Sequence, residues 1–252
     1  MLYLDKGYIG CFEMMDKDSG KQQLEEYVRQ LKSAGHKRII APIDGDTWHT
    51  YRLVSWSSGE RAFPLEPQNP LWYNEVYGEL GFKPFQKYRS DKFKLGHIEP
   101  LPANDPSLQL RNFHEDDLKL IYDISLQGFH DNLLYSDISF ENFKMLYQPL
   151  LPMIDRELVI IAELDGSPAG FMFSFAAGES LILKSMAVLP GYRSWGIGAK
   201  MMNHVLLAGQ RKGLKTAIAA LIADGNNSHK IISKYGNEKI REYTLYCLEV
   251  ER

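Results

Sequence analysis

Residues 188–200 read Val-Leu-Pro-Gly-Tyr-Arg-Ser-Trp-Gly-Ile-Gly-Ala-Lys, and they stand between a predicted strand and a predicted helix. Gly196 and Gly198 lack side chains, so the backbone N–H groups of the first helical turn can approach an anion closely. The helix dipole adds about half a positive charge at that end, and Arg193 supplies a guanidinium fork beside it. The segment therefore predicts an anion-binding turn. The alternative is an ordinary strand-to-helix turn whose glycines serve close packing.

Two other phosphate-binding motifs fail in this chain. A dinucleotide fingerprint would need a glycine at position 201, where the chain has Met201. The stretch Ser19-Gly20-Lys21 lacks the earlier glycine of a P-loop and has Met15 in its place. The sequence therefore supports the turn at 188–200 over these two rivals.

Composition narrows the functional classes. The chain has 252 residues and is 44% hydrophobic, which is enough for one large or two modest domains. With 29 Lys and Arg against 32 Asp and Glu, it lacks the basic balance of a nucleic-acid binder. Its start has no signal-peptide pattern, and its apolar runs fall far short of the roughly 20 residues that span a bilayer. We expect a cytoplasmic protein without nucleic-acid or membrane partners.

The chain has two cysteines, Cys11 and Cys247, and each sits in an apolar, strand-like run. Neither has a second Cys or a paired His at metal-ligand spacing. We expect both to be packed, reduced thiols, and we expect no metal site.

Three prolines in the eight residues 99–106 disfavour both helix and sheet, and they mark a predicted domain boundary. Before this boundary the patterns predict a strand at 8–14, a helix through Leu24–Leu31 closed by Gly35, a strand at 38–42, a helix capped by Asn69 and closed by Gly81, and a strand at 85–88. After it they predict a strand at 108–112, a helix at 114–127, a helix capped by Ser139, a hairpin of 158–164 and 169–176, a strand at 181–188, a helix ending before Gly213, a strand at 216–222, a helix at 228–235 closed by Gly236, and a strand at 242–249.

The two halves share an element order, which is strand, turn, helix, Gly, strand, loop, helix, Gly and strand. A local echo joins residues 35–46 to residues 213–226, where each stretch begins at a glycine and reaches an Asp-Gly pair. We interpret this order as an internal duplication. The first copy lacks the opening strands and helices of the second.

In this context the turn resembles the signature of the GNAT superfamily of N-acetyltransferases, which Arg193, Gly196 and Gly198 match. Residues 186–192 look like the family's fourth strand and the bulged loop after it. The resemblance covers residues 107–252 and is weaker over 1–98, where residues 69–82 look like the family's fourth helix. It implies a mixed α/β, GNAT-like acetyltransferase fold in tandem. Residues 1–98 would form a partial copy without a coenzyme turn, 99–106 a Pro-rich linker, and 107–252 a complete acetyl-CoA-binding domain.

The resemblance implies transfer of an acetyl group from acetyl-CoA to a primary amine of a small molecule or peptide. The amine would attack the thioester directly, without a protein nucleophile, while the N–H groups of Met186 and Val188 hold the acyl oxygen and the pantetheine arm. The implied coenzyme-binding residues are Met186, Ala187, Val188, Arg193, Ser194, Trp195, Gly196, Ile197, Gly198, Ala199 and Asn226. The matching turn of the first half, residues 16–21, is acidic and has a single glycine. We therefore expect no coenzyme there.

The general acid departs from the family's pattern. The family often places a Tyr four residues before the glycine that closes the fourth helix, and that position here is Ile232. Tyr235 is the substitute candidate, with packing beneath Gly236 as its alternative role. In the first half Tyr77 holds the family position, but without a coenzyme turn we interpret it as a relic. The departure leaves a second hypothesis open, which is a non-catalytic acetyl-CoA-binding or partner-binding module.

A general base is also needed, because an alkyl amine with a pKa near 10.4 is mostly protonated at neutral pH. The family's amine pocket corresponds here to the surroundings of Asp131, Tyr135 and Glu179, and Lys184 occupies a strand position that acidic side chains use in some members. Each is also a plausible surface residue. The loop at 47–52, with His49, is rich in aromatic and hydrogen-bonding groups and is a candidate lining for a substrate pocket. The sequence does not predict an oligomeric state.

Overall fold

The structure is a computed structural model that describes residues 1–10, 13–102, 106–226 and 228–250. Its helices are α1 (Lys17–Ser33), α2 (Tyr73–Glu79), α3 (Leu118–Gly128), α4 (Phe140–Tyr147), α5 (Ile197–Arg211) and α6 (Ser228–Ile232). Its strands are β1 (Leu2–Tyr3), β2 (Tyr8–Ile9), β3 (Arg38–Ala41), β4 (Leu53–Ser57), β5 (Lys83–Lys94), β6 (Leu108–Asn112), β7 (Val159–Leu164), β8 (Ser167–Ala177), β9 (Ser180–Val188), β10 (Thr216–Ala223) and β11 (Glu238–Glu249).

One compact unit comprises Met1–Ser90, Leu221–Asn226 and Lys239–Arg252. Its strands run in the order β1, β2, β3, β11, and β4 also pairs with β11. Helix α1 buries Leu24, Val28 and Leu31, which recur at helical spacing, in the core of this unit. Helix α2 adds Val76 and Tyr77 to the same core.

The second compact unit comprises Asp91–Ala220 and Asn227–Glu238. Strands β6, β7, β8 and β9 form an antiparallel meander, and β10 pairs with β9 in parallel. A parallel neighbour requires a crossover connection, which α5 supplies. Helix α5 buries Met201, Val205 and Leu206 on its inner face. The unit is therefore a mixed sheet with helices packed on it.

The long strands β5 and β11 divide their residues between the units. Strand β11 comes from the C-terminal end of the chain, but it pairs with β3 from Tyr246–Ala41 to Glu249–Arg38 in the first unit. Strand β5 begins in the first unit, and its end from Asp91 onward belongs to the second. The predicted boundary at 99–106, of which 103–105 lie outside the described residues, stays a prediction.

Most predicted helices and strands are confirmed. The ends of four helices were predicted from the glycines that follow them. Gly35, Gly81, Gly213 and Gly236 each follow a helix with a positive φ, between 64° and 89°, a conformation that glycine adopts without strain. Ser139 caps α4 as predicted, accepting a hydrogen bond from Asn142 N at 3.2 Å.

The first half of the structure differs from the predictions in several respects. The predicted Asn69 cap is wrong, because α2 begins at Tyr73 and the Asn69 amide instead bonds both backbone groups of Val54. The predicted strand at 8–14 shortens to Tyr8–Ile9, and Cys11 and Phe12 lie outside the described residues. Strand β4 was not predicted. It gains its regularity from pairing with β11, which is distant in sequence.

Candidate functional site

Strand β9 has an uncovered edge over its last residues. Its pairing with β10 ends at Leu183–Ala219, whereas β9 itself continues to Val188. On the other edge, β9 stays paired with β8 as far as Val188–Gly170. A β-bulge places Lys184 as the extra residue between the pairs Leu183–Ser174 and Ser185–Phe173, and such bulges bend a strand. Within the part of the chain that the structure describes, no strand pairs with residues 185–188 on the β10 side.

The turn after β9 leads into an uncapped helix N-terminus. Gly196 is the N-cap of α5 in the left-handed conformation, with φ 71°, and no side chain of the described residues caps this end. The first turn of α5 contains no acidic residue. A Cβ added at Gly198 would face Met186, with Sδ and Cε both at 3.4 Å. The N-terminus of α5 therefore lies against β9, and its N–H groups and dipole favour an anion.

The corresponding helix of the first half is α1, and a carboxylate caps its N-terminus. The Asp16 side chain caps α1, accepting hydrogen bonds from Ser19 N at 2.8 Å and Ser19 Oγ at 2.9 Å. These bonds lower the pKa of Asp16, so its charge persists at neutral pH. Asp18 adds a second acid in the first turn. An anionic ligand would meet repulsion here, in contrast to the start of α5.

The Arg193 guanidinium is directed toward the end of α3. It donates to Asp131 Oδ2 and to the Gly128 carbonyl, both at 3.2 Å, and to the Val188 carbonyl at 3.5 Å. Arg193 and then His130 lower the pKa of Asp131 through these hydrogen bonds. The fork thereby ties the turn at 188–200 to the loop after α3.

The remaining predicted coenzyme residues divide between packing and surface positions. Ala187 is buried where Gly128 approaches it, since a Cβ at Gly128 would come within 2.7 Å of the Ala187 Cβ. Ile197 is buried, whereas Trp195 is 54% exposed. Ser194 is exposed and Ala199 is half-buried. Asn226 lies in the exposed turn after β10, in the first unit, where its N–H donates to the Ala223 carbonyl at 3.0 Å.

Tyr235 ends a 3-10 turn, Ser233–Tyr235, that follows α6. Its ring stacks on Phe93 with centroids 5.0 Å apart, and burial raises the pKa of its hydroxyl. Ile232, at the position of the family's acid, is fully buried and packs in the core. Tyr77 in the first unit is also buried, stacked on Tyr246 at 5.3 Å.

The predicted base candidates are occupied or exposed. Asp131 pairs with Arg193, and the Tyr135 hydroxyl donates to Asp137 at 2.9 Å. Burial, followed by Asp137, raises the pKa of Tyr135 to about 12, which makes it a poor base near neutral pH. Glu179 is exposed, and Lys184 sits at the bulge of β9.

The second unit contains an imidazole beside a carboxylate that the sequence analysis did not predict. His229 Nδ1 of α6 lies 3.9 Å from Asp91 Oδ2 on β5, and Asp91 is fully buried. Asn237 donates to the same Asp91 oxygen at 2.7 Å. Because β5 and α6 are far apart in the chain, no local spacing could have revealed this cluster.

The loop at 47–52 belongs to the first unit. His49 Nδ1 lies 2.7 Å from Asp46 Oδ1, which also accepts from Trp48 N, so His49 has a structural partner. Arg52 is buried between the rings of Tyr51 and Tyr88, 3.9 and 4.0 Å from their centroids. These contacts fit a structural role, and a substrate role for this loop stays a prediction.

Cys247 is a free, buried thiol, and burial followed by Glu249 raises its pKa to about 11. It is therefore protonated at neutral pH and a poor nucleophile. Cys11 lies outside the described residues. Within the described ranges, no three His, Cys, Asp or Glu side chains are grouped to hold a metal, and no helix is long and apolar enough to cross a membrane.

Residues 155–236, about a third of the chain, match the family model for the acetyltransferase (GNAT) domain. No curated protein matches the chain. A solved GCN5-related N-acetyltransferase from Sphaerobacter thermophilus is similar, with a TM-score of 0.64 and 14% identity over 92% of this chain and 67% of that one. A tandem GNAT protein from the clavulanic acid biosynthesis pathway has a TM-score of 0.56 and 11% identity, covering 95% of this chain and 72% of that one.

A third similar structure is the GCN5-related glucosamine N-acetyltransferase region of a fungal multi-domain GH3 beta-N-acetylglucosaminidase. It has a TM-score of 0.57 and 13% identity over 90% of this chain, which spans only 27% of that protein. At these identities the similarity concerns the fold. The predicted mixed α/β, tandem GNAT architecture is confirmed.

Proposed function

We propose that this chain, whose residues 155–236 form a GNAT acetyltransferase domain, transfers an acetyl group from acetyl-CoA to a primary amine. The observation that carries the proposal is the uncapped, acid-free start of α5 lying against the uncovered edge of β9. The start of α5 suits a pyrophosphate, and the edge of β9 suits the pantetheine arm, which contains amides. Both features belong to the second unit.

The residues present fit such a donor. The N–H groups of residues 196–199 would hold the pyrophosphate, since Gly196 is left-handed and a Cβ added there would meet nothing within 4 Å. Backbone groups of Met186 and Val188 would hold the acyl oxygen and the pantetheine amides. When bound, acetyl-CoA supplies an activated acyl carbon. We assign Arg193 the role of tying the turn to the loop after α3, because its guanidinium already makes those bonds.

In the proposed reaction the amine nitrogen bonds to the acyl carbon, and the carbon–sulfur bond breaks. One proton leaves the nitrogen and one reaches the departing sulfur, giving an amide and free coenzyme A. For the donor of the second proton we propose Tyr235, whose pKa is raised by burial so that it stays protonated at neutral pH. Its stacking on Phe93 holds the ring in one orientation.

For the base we propose His229, because its imidazole is half-buried beside the Asp91 carboxylate and it stands on α6, just before the turn that carries Tyr235. An imidazole at such a position can accept a proton from the attacking amine. The test compares the turnover of His229→Gln with its melting temperature and its affinity for acetyl-CoA. A loss of turnover by roughly 10²-fold or more with the other two unchanged supports the assignment, and unchanged turnover removes it.

A second function, coenzyme binding without catalysis, is favoured by the buried Ile232 at the family's acid position. A thiol-release assay with acetyl-CoA over a panel of primary amines separates the two. Turnover above the rate without amine supports the enzyme. Tight acetyl-CoA binding in calorimetry without turnover on any amine supports the binding module, and absence of both refutes the assignment of the α5 turn.

A further inference from the structure

The second unit contains a partly open cavity of about 40 Å³ between α3, α4 and the sheet face of β7, β8 and β9. Six aromatic rings line it: Phe113, Phe129, Phe143, Tyr147, Phe171 and Phe173. Ser125 of α3 and Ser185 of β9 add two hydroxyl groups, and none of the side chains that line it is charged. A water needs about 10–15 Å³ of such space, so the cavity can admit a group of a few carbon atoms.

One lining residue of the cavity is the neighbour of Met186, which is proposed to hold the acyl group. Ser185 lines the cavity, pairs directly with Phe173, and is the neighbour of Met186 along β9. Successive strand residues point to opposite faces, so Met186 points away from the cavity and toward α5, where a Cβ at Gly198 would meet it. One stretch of β9 therefore offers the α5 turn on one face and the cavity on the other. Because successive residues are only about 3.3 Å apart, the two sites are separated by little more than the strand itself.

We propose that this cavity receives the apolar side group of the acceptor, so that the acceptor is a primary amine bearing a short aliphatic substituent. The inference rests on the proposed function. The pyrophosphate would lie at the start of α5, on the side of β9 opposite to the cavity, which leaves the cavity side to the amine. The uncharged lining disfavours polyamines and aminoglycosides, because a second ammonium group would lose its hydration there without gaining a partner.

The experiment measures kcat/KM with acetyl-CoA for glycinamide, alaninamide, 2-aminobutyramide, leucinamide and lysinamide. Each methylene group buried in the cavity should raise kcat/KM by about fourfold until the space is filled. Ser125→Val fills part of the cavity from α3. Ile124→Val is the matched control, because Ile124 is buried on the same helix but does not line the cavity. Thermal melts verify that both variants fold.

We expect leucinamide to exceed glycinamide by at least about tenfold in the wild type. Ser125→Val should lower the ratio of kcat/KM for leucinamide to kcat/KM for glycinamide, whereas Ile124→Val should leave this ratio unchanged. Equal values across the series would overturn the inference. It would also be overturned if Ser125→Val left the amine preference intact and instead reduced the use of butyryl-CoA relative to acetyl-CoA, which would place the acyl chain in the cavity.

A binding measurement distinguishes failure of this inference from failure of the proposed function. N-acetylleucinamide and N-acetylglycinamide are titrated by calorimetry into the full chain with coenzyme A. If no amine turns over but N-acetylleucinamide binds more tightly, and Ser125→Val removes the difference, the cavity assignment stands and the catalytic proposal fails. Equal or undetectable binding of the two amides overturns the cavity assignment.

Discussion

Replacing Gly198 by Asp should separate the affinity for acetyl-CoA from the stability of α5. A carboxylate in the first turn of a helix stabilises it by about 0.3–1 kcal/mol, so the melting temperature should hold or rise. The same carboxylate would repel the pyrophosphate. Two like charges about 4 Å apart near a protein surface interact by roughly 4 kcal/mol, and salt reduces this value. We expect a loss of about 2–4 kcal/mol, or roughly 30- to 900-fold in Kd.

Two matched variants separate the effect of the Asp charge on the Kd from the effect of its size. A Cβ at Gly198 meets Met186 at 3.4 Å and Val188 at 3.8 Å, which is ordinary contact, so Gly198→Ala should change Kd little. Gly198→Asn has the size of Asp without its charge and should bind much more tightly than Gly198→Asp. Calorimetry with acetyl-CoA gives the three values, and about 1 M salt should narrow the difference between Asn and Asp. Equal affinities of the Asn and Asp variants would refute the electrostatic reasoning.

Three further predictions each concern one side chain. Tyr235→Phe keeps the ring that stacks on Phe93 and removes the hydroxyl, so turnover should fall by roughly 10² to 10⁴ without a change in melting temperature; full activity in steady-state assays would make Tyr235 a packing residue. Asp131→Asn removes a negative charge beside the turn that would hold the pyrophosphate, so affinity for acetyl-CoA should rise modestly at low salt, and calorimetry showing weaker binding would contradict this. Burial, followed by Arg211, lowers the pKa of His204 in the folded state, so folding favours its neutral form and its contribution to stability is lost as the pH falls below about 6.5. Denaturant unfolding between pH 7.5 and 5.5 should show a smaller loss in His204→Gln than in the wild type, and identical slopes would exclude His204 as the source.

Local signals were sufficient to predict the elements around the site. The glycines after α1, α2, α5 and α6 all adopt positive φ, and the apolar spacing of α5 places Met201, Val205 and Leu206 inside. The absence of a coenzyme from residues 16–21 stays a prediction, and the Asp16 cap is consistent with it.

Contacts between residues distant in the chain could not be predicted from the sequence. Nothing local indicates that β11 pairs with β3 in the first unit, or that Arg193 bonds to Asp131. The stacking of Tyr235 on Phe93 joins β5, which precedes the predicted linker, to the turn after α6, which lies far beyond it. Such contacts depend on how elements distant in sequence are placed, and hydrophobic periodicity carries no information on that placement.

Hydrogen–deuterium exchange with and without acetyl-CoA tests the central claim most directly, since the claim assigns the coenzyme to backbone N–H groups. We predict slower exchange in residues 186–188 and 196–199 when acetyl-CoA is present, and no change in residues 16–21. Unchanged exchange across 186–199 at saturating acetyl-CoA, or protection confined to residues 16–21, would contradict the assignment.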